Sequence, residues 1–289
     1  IMTQNPRVSC LQMNGTDSPP QNISQALALL KIAADQGANL AITPENTNFI
    51  SNNPVASAEN AATEPNSTTL AKLAEAATLH QIYILIGSIL IREENKVYNR
   101  SFLVNPQGEI TARYNKIHLF HATLPNGENY RESDTITPGT NTTLAETPWA
   151  NVGMSVCYDL RFPQLYRDYA RNGADWLAVP SAFTVPTGRA HWHVLLRARA
   201  IENGCFVFAP AQTGTHPGGR KTFGHSLIVN PWGEIIAEAT DNTPQCITAD
   251  INTAAVQHAR RRIPSLNDEA KAGAVNGSLS PPDISRATA

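Results

Sequence analysis

VGMSVCYDLRFPQ, residues 152–164, runs an apolar, strand-like stretch into Cys157 and then passes straight into aromatic, acidic and basic residues. Pro163 fits the first turn of a helix, where its missing N–H costs nothing. The segment therefore reads as strand, short polar turn and helix, with Cys157 as the last strand residue. That position exposes a side chain at the carboxyl edge of a sheet, where α/β proteins place their sites. It also leaves backbone N–H groups free to hold a developing oxyanion. Taken alone, it leaves four roles open for Cys157: core plug, redox thiol, metal ligand or nucleophile.

The strand–helix rhythm continues on both sides. Downstream, FPQLYRDYARNG (162–173) predicts a helix, ADWLAVP (174–180) a strand, AHWHVLLRARAIENG (190–204) a helix and CFVFAPAQ (205–212) a strand. Upstream, RVSCLQM (7–13) predicts a strand. NISQALALLKIAADQGA (22–38) predicts a helix with Ile23, Leu27 and Leu30 on one face and Gly37 as its stop. NLAIT (39–43) is the next strand, followed by a polar loop to about residue 65 and an amphipathic helix over 67–81. IYILIGS (82–88) is a continuous apolar run, the pattern of a strand buried on both faces.

An internal echo bears on the architecture. FLVNPQGEI (102–110) and LIVNPWGEI (227–235) share VNP and, one residue later, GEI. Both read as β-hairpins with N-P-x-G as the turn. Two related halves of strands, helices and hairpins suggest two packed sheets covered by helices, a four-layer α-β-β-α sandwich; one doubly wound sheet is the alternative. From about Ser265 the pattern dissolves into a small-residue and polar tail, expected to be partly disordered or laid over a partner subunit. The expected division is a domain over 1–264 and a tail over 265–289.

Length and composition narrow the function. At 289 residues, with 42% hydrophobic and 16% charged residues, the chain can bury a real core as one large α/β domain or two small ones. The formal net charge is -2, and the one basic cluster, Arg260 to Arg262, reads as a solvated helix end. Nucleic acid and anionic membranes are thus not expected partners. No apolar run approaches the ~20 residues of a membrane helix, and IMTQNPRVSC carries no apolar signal core. Four widely spaced cysteines, Cys10, Cys157, Cys205 and Cys246, are not a disulfide scaffold. Free thiols in a reducing, cytoplasmic setting are the expectation.

Cys10, Cys205 and Cys246 sit in apolar runs and read as packing. HWH (191–193) puts two histidines two apart on a predicted helix, where they do not face each other, and no Cys-x-x-Cys exists. A Cys–His pair with His118, His121, His191 or His225 stays formally open. HPGGRKTFGH (216–225) lacks the spacing of a phosphate loop and reads as a flexible loop. Two further segments stand out. LAITPENTNF (40–49) ends an apolar strand at Pro44 and Glu45. ARYNKIHLF (112–120) sets Lys116 among Ile117, Leu119 and Phe120, as if the chain there dives inward.

TPENTNF around Glu45, YNKIHLF around Lys116, YRESDTITPG around Glu132 and CYDLRFP around Cys157, in this order, resemble the carbon–nitrogen hydrolase (nitrilase) superfamily over about residues 7–264. PSAFT (180–184), AHWHVLLRARAIEN (190–203) and GHSLIVNPWGEI (224–235) look like its branch of deaminated glutathione amidases and omega-amidases. The resemblance implies the α-β-β-α sandwich, a homodimer or larger assembly, and neither metal nor organic cofactor. It also implies a Glu–Lys–Cys triad of Glu45, Lys116 and Cys157. PENTNF departs from that branch, where an apolar or aromatic residue more often follows the glutamate, and substrate identity stays open.

The implied reaction is hydrolysis of a small carboxylate-bearing amide through a Cys157 thioester, releasing ammonia. Glu45 serves as base, and Lys116 with the Tyr158 N–H holds the oxyanion. Glu132 matches a second glutamate that orients Lys116 or substrate; a surface salt bridge is the plain alternative. Asp159 and Arg161 read as a pair fixing the turn, and Phe183 and Thr184 as pocket lining. A nitrile or N-carbamoyl substrate would use the same triad. A catalytically silent scaffold is a third reading, against which the intact Glu45, Lys116 and Cys157 argue.

Overall fold

The computed structural model describes residues 5–123, 127 and 129–267. Apart from a turn at 265–267, the expected tail lies outside the described residues.

The first half runs β1 (Arg7–Gln12), α1 (Pro19–Asp35), β2 (Leu40–Ile42), α2 (Pro54–Glu59), α3 (Thr68–His80), β3 (Tyr83–Glu93), β4 (Lys96–Val104) and β5 (Ile110–Asn115). A ribbon of β6 (His121–Thr123) and β7 (Asn129–Arg131) leads into the second half. There follow β8 (Leu144–Glu146), β9 (Asn151–Met154), α4 (Pro163–Arg171), β10 (Trp176–Ala178), α5 (Val185–Asn203) and β11 (Phe206–Ala209). A second ribbon, β12 (Thr213–Thr215) with β13 (Lys221–Phe223), precedes β14 (Leu227–Val229), β15 (Ile235–Glu238), β16 (Gln245–Asp250) and α6 (Ala254–Arg262).

Two six-stranded sheets result, ordered β16-β1-β2-β3-β4-β5 and β15-β14-β11-β10-β9-β8. In each, three parallel strands (β1–β2–β3, β9–β10–β11) continue into an antiparallel hairpin. The hairpins are the two echo segments, with equivalent turns. Asn105 Oδ1 accepts the N–H groups of Gln107 and Glu109, and Asn230 Oδ1 those of Trp232 and Glu234. Gly108 and Gly233 take the left-handed conformation (φ +80° and +85°) that closes each turn.

Period-two alternation sorts the first sheet's side chains into two layers. Leu11, Ala41, Ile84, Ile86, Phe102 and Val104 pack with Leu29, Leu30, Leu70 and Leu73 of α1 and α3. Val8, Cys10, Leu40, Ile42, Leu85 and Leu103 join instead a core with Val152, Met154, Trp176 and Phe208 of the second sheet. On that sheet Gly153 has no room for a side chain, because a Cβ there would meet the Tyr169 ring of α4 at 2.7 Å. The order is therefore helix, sheet, sheet, helix: the expected four-layer sandwich and not one doubly wound sheet. Among the described residues, no helix is long and apolar enough to cross a membrane.

Several local expectations are corrected. α1 starts three residues early, with Pro at its first turn, so its buried stripe is Ala26, Leu29, Leu30 and Ala33, while Ile23 and Leu27 are half-buried. The 44–65 loop holds α2, capped by Asn53, whose side chain accepts from Val55 and Ala56. α5 starts at Val185, five residues early. The 216–225 stretch is no flexible loop: its ribbon is anchored by buried His216, which bonds Gly15 O at 2.8 Å and Thr222 Oγ1 at 2.6 Å. Nor is Arg260 solvated; it reaches Asp175 and the Ala174 carbonyl and ties α6 to the second sheet.

Candidate active site

Glu45 and Cys157 follow parallel strands of opposite sheets, at their carboxyl ends, and Lys116 follows β5. All three line one cavity of about 380 Å³, a size that suits a small organic molecule.

The turn that carries Glu45 is pinned on every side. Asn46 and Thr47 N–H donate to Ser88 Oγ and Ser88 O, and Thr43 Oγ1 accepts from Gly87 N–H at 2.9 Å. Gln212 Nε2, beyond β11, donates to the Glu45 carbonyl at 3.1 Å. The carboxylate is then fixed from three directions. Oε1 accepts from Lys116 Nζ at 2.9 Å and Asn99 Nδ2 at 3.1 Å, and Oε2 from the Ala182 N–H at 3.0 Å. Glu45 is only 3% exposed. Burial alone would raise its pKa, but Lys116, the Cys157 thiol and Arg220 outweigh burial and hold it below the ordinary carboxylate value.

Lys116, 2% exposed, also bonds Glu132 at 2.9 and 3.2 Å. Glu132 in turn accepts the Phe120 N–H at 2.7 Å and Asn99 Nδ2 at 3.3 Å. Burial opposes the Lys116 charge, yet Glu132, Glu45 and the Cys157 sulfur raise its pKa further, so the ammonium is fixed. Glu132 is thus an intimate partner of Lys116 and not a surface salt bridge.

Cys157 corrects the opening reading in one respect. β9 ends at Met154, and Cys157 opens a 3₁₀ turn over Cys157–Arg161 with φ +51°. A non-glycine residue in that region is strained, and a sharp strand-to-helix turn of this kind is how α/β hydrolases present a nucleophile. The strain is held by the Cys157 N–H bond to Pro180 O at 2.9 Å and by Asp159. Burial first, then the Glu45 carboxylate, push the thiol pKa well up, with Lys116 opposing. At neutral pH the sulfur is a thiol beside an ionised carboxylate.

Asp159 and Arg161 do not pair. Asp159, fully buried, accepts Val156 N–H at 2.8 Å, Tyr114 Oη at 2.7 Å and His118 N–H at 3.0 Å, tying the Lys116 segment to the Cys157 turn. Arg161 lies over the rings of Tyr158 and Phe183 and lines the cavity, as do Phe183 and Thr184. The candidate histidines go elsewhere: His118 to Asp159, His121 to Ser133, His191 to Arg161 and His225 to Glu238.

Asn99, Gln212 and Arg220 escaped the sequence reading. Asn99 lies inside a strand with no chemical signal beyond its polarity, and the other two lie where only the tertiary fold brings them to Glu45. Among the described residues, the ligand atoms of His193, His225 and Glu238 come close enough to hold a cation. All three lie outside the cavity, and Glu238 Oε1 bonds both rings, at 2.9 and 2.8 Å. Sequence spacing could not show this meeting of α5 with β15.

The sandwich, with a Glu–Lys–Glu cluster beside a cysteine on a strained turn, is the architecture of the nitrilase superfamily. The signature of the carbon-nitrogen hydrolase family matches residues 7–261; the chain belongs to that family and is a hydrolase acting on carbon–nitrogen bonds. It is similar to a Synechocystis deaminated glutathione amidase, 42% identical over 267 residues, covering 89% of this chain and 96% of the relative. The Mus musculus protein of the same name is 38% identical over 266 residues, covering 90% of this chain and 81% of its own. The crystal structure of the C. elegans NitFhit protein superposes with a TM-score of 0.86 at 32% identity, covering 93% of this chain and 66% of that one.

Proposed function

We propose that the protein is an amidase that hydrolyses small carboxylate-bearing amides, of the deaminated glutathione or omega-amide type, with Glu45, Lys116 and Cys157 as its catalytic residues. The observation that carries this reading is the buried Glu45–Lys116 pair at 2.9 Å, lining one cavity with a Cys157 thiol whose ionisation burial opposes. Such a thiol needs a base at the moment of attack. Cys157 Sγ attacks the amide carbon as Glu45 takes the S–H proton. The oxyanion is met by Lys116 Nζ and the Tyr158 N–H. Glu45 then gives the proton to the nitrogen, the C–N bond breaks, and ammonia or an amine leaves. Water, deprotonated by Glu45, attacks the thioester carbon; the C–S bond breaks, Glu45 returns the proton to the Cys157 sulfur, and the acid is freed.

Glu132 keeps Lys116 aimed at the oxyanion position, and Phe183 and Thr184 form the wall on which substrate rests. No metal or organic cofactor enters any step. Residues 1–264 act as one domain. The exposed apolar side chains of α5, Val194 and Ile201, favour a homodimer. The reducing cytoplasm suits a reaction that needs Cys157 as a free thiol.

The test is hydrolysis of a panel of amides, nitriles and N-carbamoyl compounds, followed by ammonia or amine release, with Cys157→Ala as control. Amides with a free carboxylate should be hydrolysed, and Cys157→Ala should be silent. No hydrolysis of any amide, or undiminished hydrolysis by Cys157→Ala, overturns the proposal.

A further inference from the structure

Four buried side-chain polar atoms among the described residues have no hydrogen-bond partner: Asn99 Oδ1, Trp176 Nε1, Asn203 Oδ1 and Arg220 Nε. Such orphans are costly enough to call for a reason. Asn99 and Arg220 both line the cavity. One offers a free acceptor and the other a free donor on a cation, so the two together ask for a ligand with an N–H group and an anionic group.

Arg220 is placed, not loose. It follows the 3₁₀ turn at Pro217–Gly219 and leads into β13, beside the buried hydrogen bonds of His216. Its Nη2 donates to Ala182 O at 3.1 Å, and its guanidinium stands over the Tyr130 ring at 5.8 Å. The N–H of the same Ala182 holds Glu45, so Arg220 and the carboxylate of Glu45 are anchored to one residue. Among the described residues, Arg7, Arg100, Arg113, Arg199 and Arg260 each pair with a carboxylate, whereas Arg220 pairs with none. Arg161 also lacks one, but its guanidinium is spread over two rings and lies against His191 Nδ1. A guanidinium with an unused, buried Nε presents the fork that a carboxylate fills in bidentate fashion.

We propose that Arg220 is the subsite for the free carboxylate of the amide substrate and sets the enzyme's preference for anionic over neutral amides. This rests on the amidase reading above and names the group that selects its substrate. The carboxylate lies in the Arg220 fork while the amide carbon lies at Cys157.

The experiment compares glutaramate with its methyl ester, whose far end is neutral and one methyl larger, using wild type, Arg220→Lys and Arg220→Gln. Wild type should favour glutaramate. Arg220→Gln should raise KM for glutaramate roughly 10- to 100-fold more than it raises KM for the ester, the loss expected of a charge-assisted pair, while any change in kcat through Glu45 is shared by both substrates. Arg220→Lys should fall between. Equal losses on both substrates would mean that Arg220 acts through Glu45 or the fold. A preference abolished by Arg161→Gln but intact in Arg220→Gln would move the subsite. Either result overturns the proposal.

Calorimetric titration with glutarate reads the subsite without turnover: wild type should bind it, and Arg220→Gln at least tenfold more weakly. Equal affinity refutes the subsite even if amides are hydrolysed. No turnover of either compound, with glutarate binding still lost in Arg220→Gln, refutes the amidase reading and leaves the anion subsite standing.

Discussion

Lys116→Met removes the ammonium but keeps most of the alkyl stem, so it isolates charge from packing. Lys116 Nζ bonds Glu45 Oε1 at 2.9 Å and both oxygens of Glu132, at 2.9 and 3.2 Å. The variant leaves Glu45 buried with no ion-pair partner, held by neutral donors, Asn99 Nδ2, the Ala182 N–H and the Cys157 thiol, with Arg220 farther off. Removing one member of a buried ion pair typically costs about 3–5 kcal/mol, because the remaining charge is stranded. The sign with pH follows from Glu45. In wild type its pKa lies below the ordinary 4.5, so its contribution is present above that value and fades on acidification. In Lys116→Met burial goes largely unopposed, its pKa rises above 4.5, and the variant recovers as pH falls and the carboxyl protonates. The destabilisation should therefore be largest near pH 8 and shrink toward pH 5. Urea unfolding at the two pH values, at one protein concentration, reads it. A difference below about 1 kcal/mol at pH 8, or one that does not shrink on acidification, would refute the buried charge network. Turnover should fall by about 10²- to 10³-fold or more, the cost of one oxyanion donor.

Gly87→Ala should be destabilising by about 1–3 kcal/mol or more, because a Cβ there would meet Thr43 O at 2.0 Å and Pro44 O at 2.5 Å, rigid backbone beneath Glu45; thermal unfolding and kcat should fall together. His216 is buried, which lowers its pKa from 6.5 to about 4. The unfolded chain binds that proton first, so stability should drop by on the order of 3 kcal/mol as pH falls from 6.5 toward 4. His216→Gln should flatten that slope in a pH series of urea melts. Asn99→Leu strips a donor from both carboxylates, so the acid limb of the kcat/KM profile should move to higher pH. An unmoved limb with lower kcat would assign Asn99 a purely structural role.

How legible this was in the sequence depended on whether the signal was local. The strand–helix rhythm and the VNP–GEI echo predicted two sheets because each strand's apolar pattern reflects its own burial, and the hairpin turns need Asn and Gly at fixed offsets. Glu45 and Cys157 stood out as polar residues ending apolar runs and Lys116 as a charge set among apolar residues, whereas Glu132 was legible only through the family motif around it. What was missed is non-local. The helix starts at Pro19 and Val185 were hidden by weakly periodic first turns. Arg220 lies in a Gly-Pro-rich stretch that reads as a loop until β12 and β13 pair. Asp159 looked like a partner for Arg161, yet its ligands are Tyr114 and His118, some forty residues upstream. The left-handed φ of Cys157 has no sequence signature, since glycine is its usual mark.

If Cys157 carries the acyl group, mass spectrometry of the quenched enzyme detects it directly. Wild type mixed with a slow amide substrate should gain the mass of the acyl moiety, and the modified peptide should contain Cys157. The same measurement on Cys157→Ala should show no adduct. An acyl group on Cys10, Cys205 or Cys246, or steady turnover by Cys157→Ala, would contradict the account.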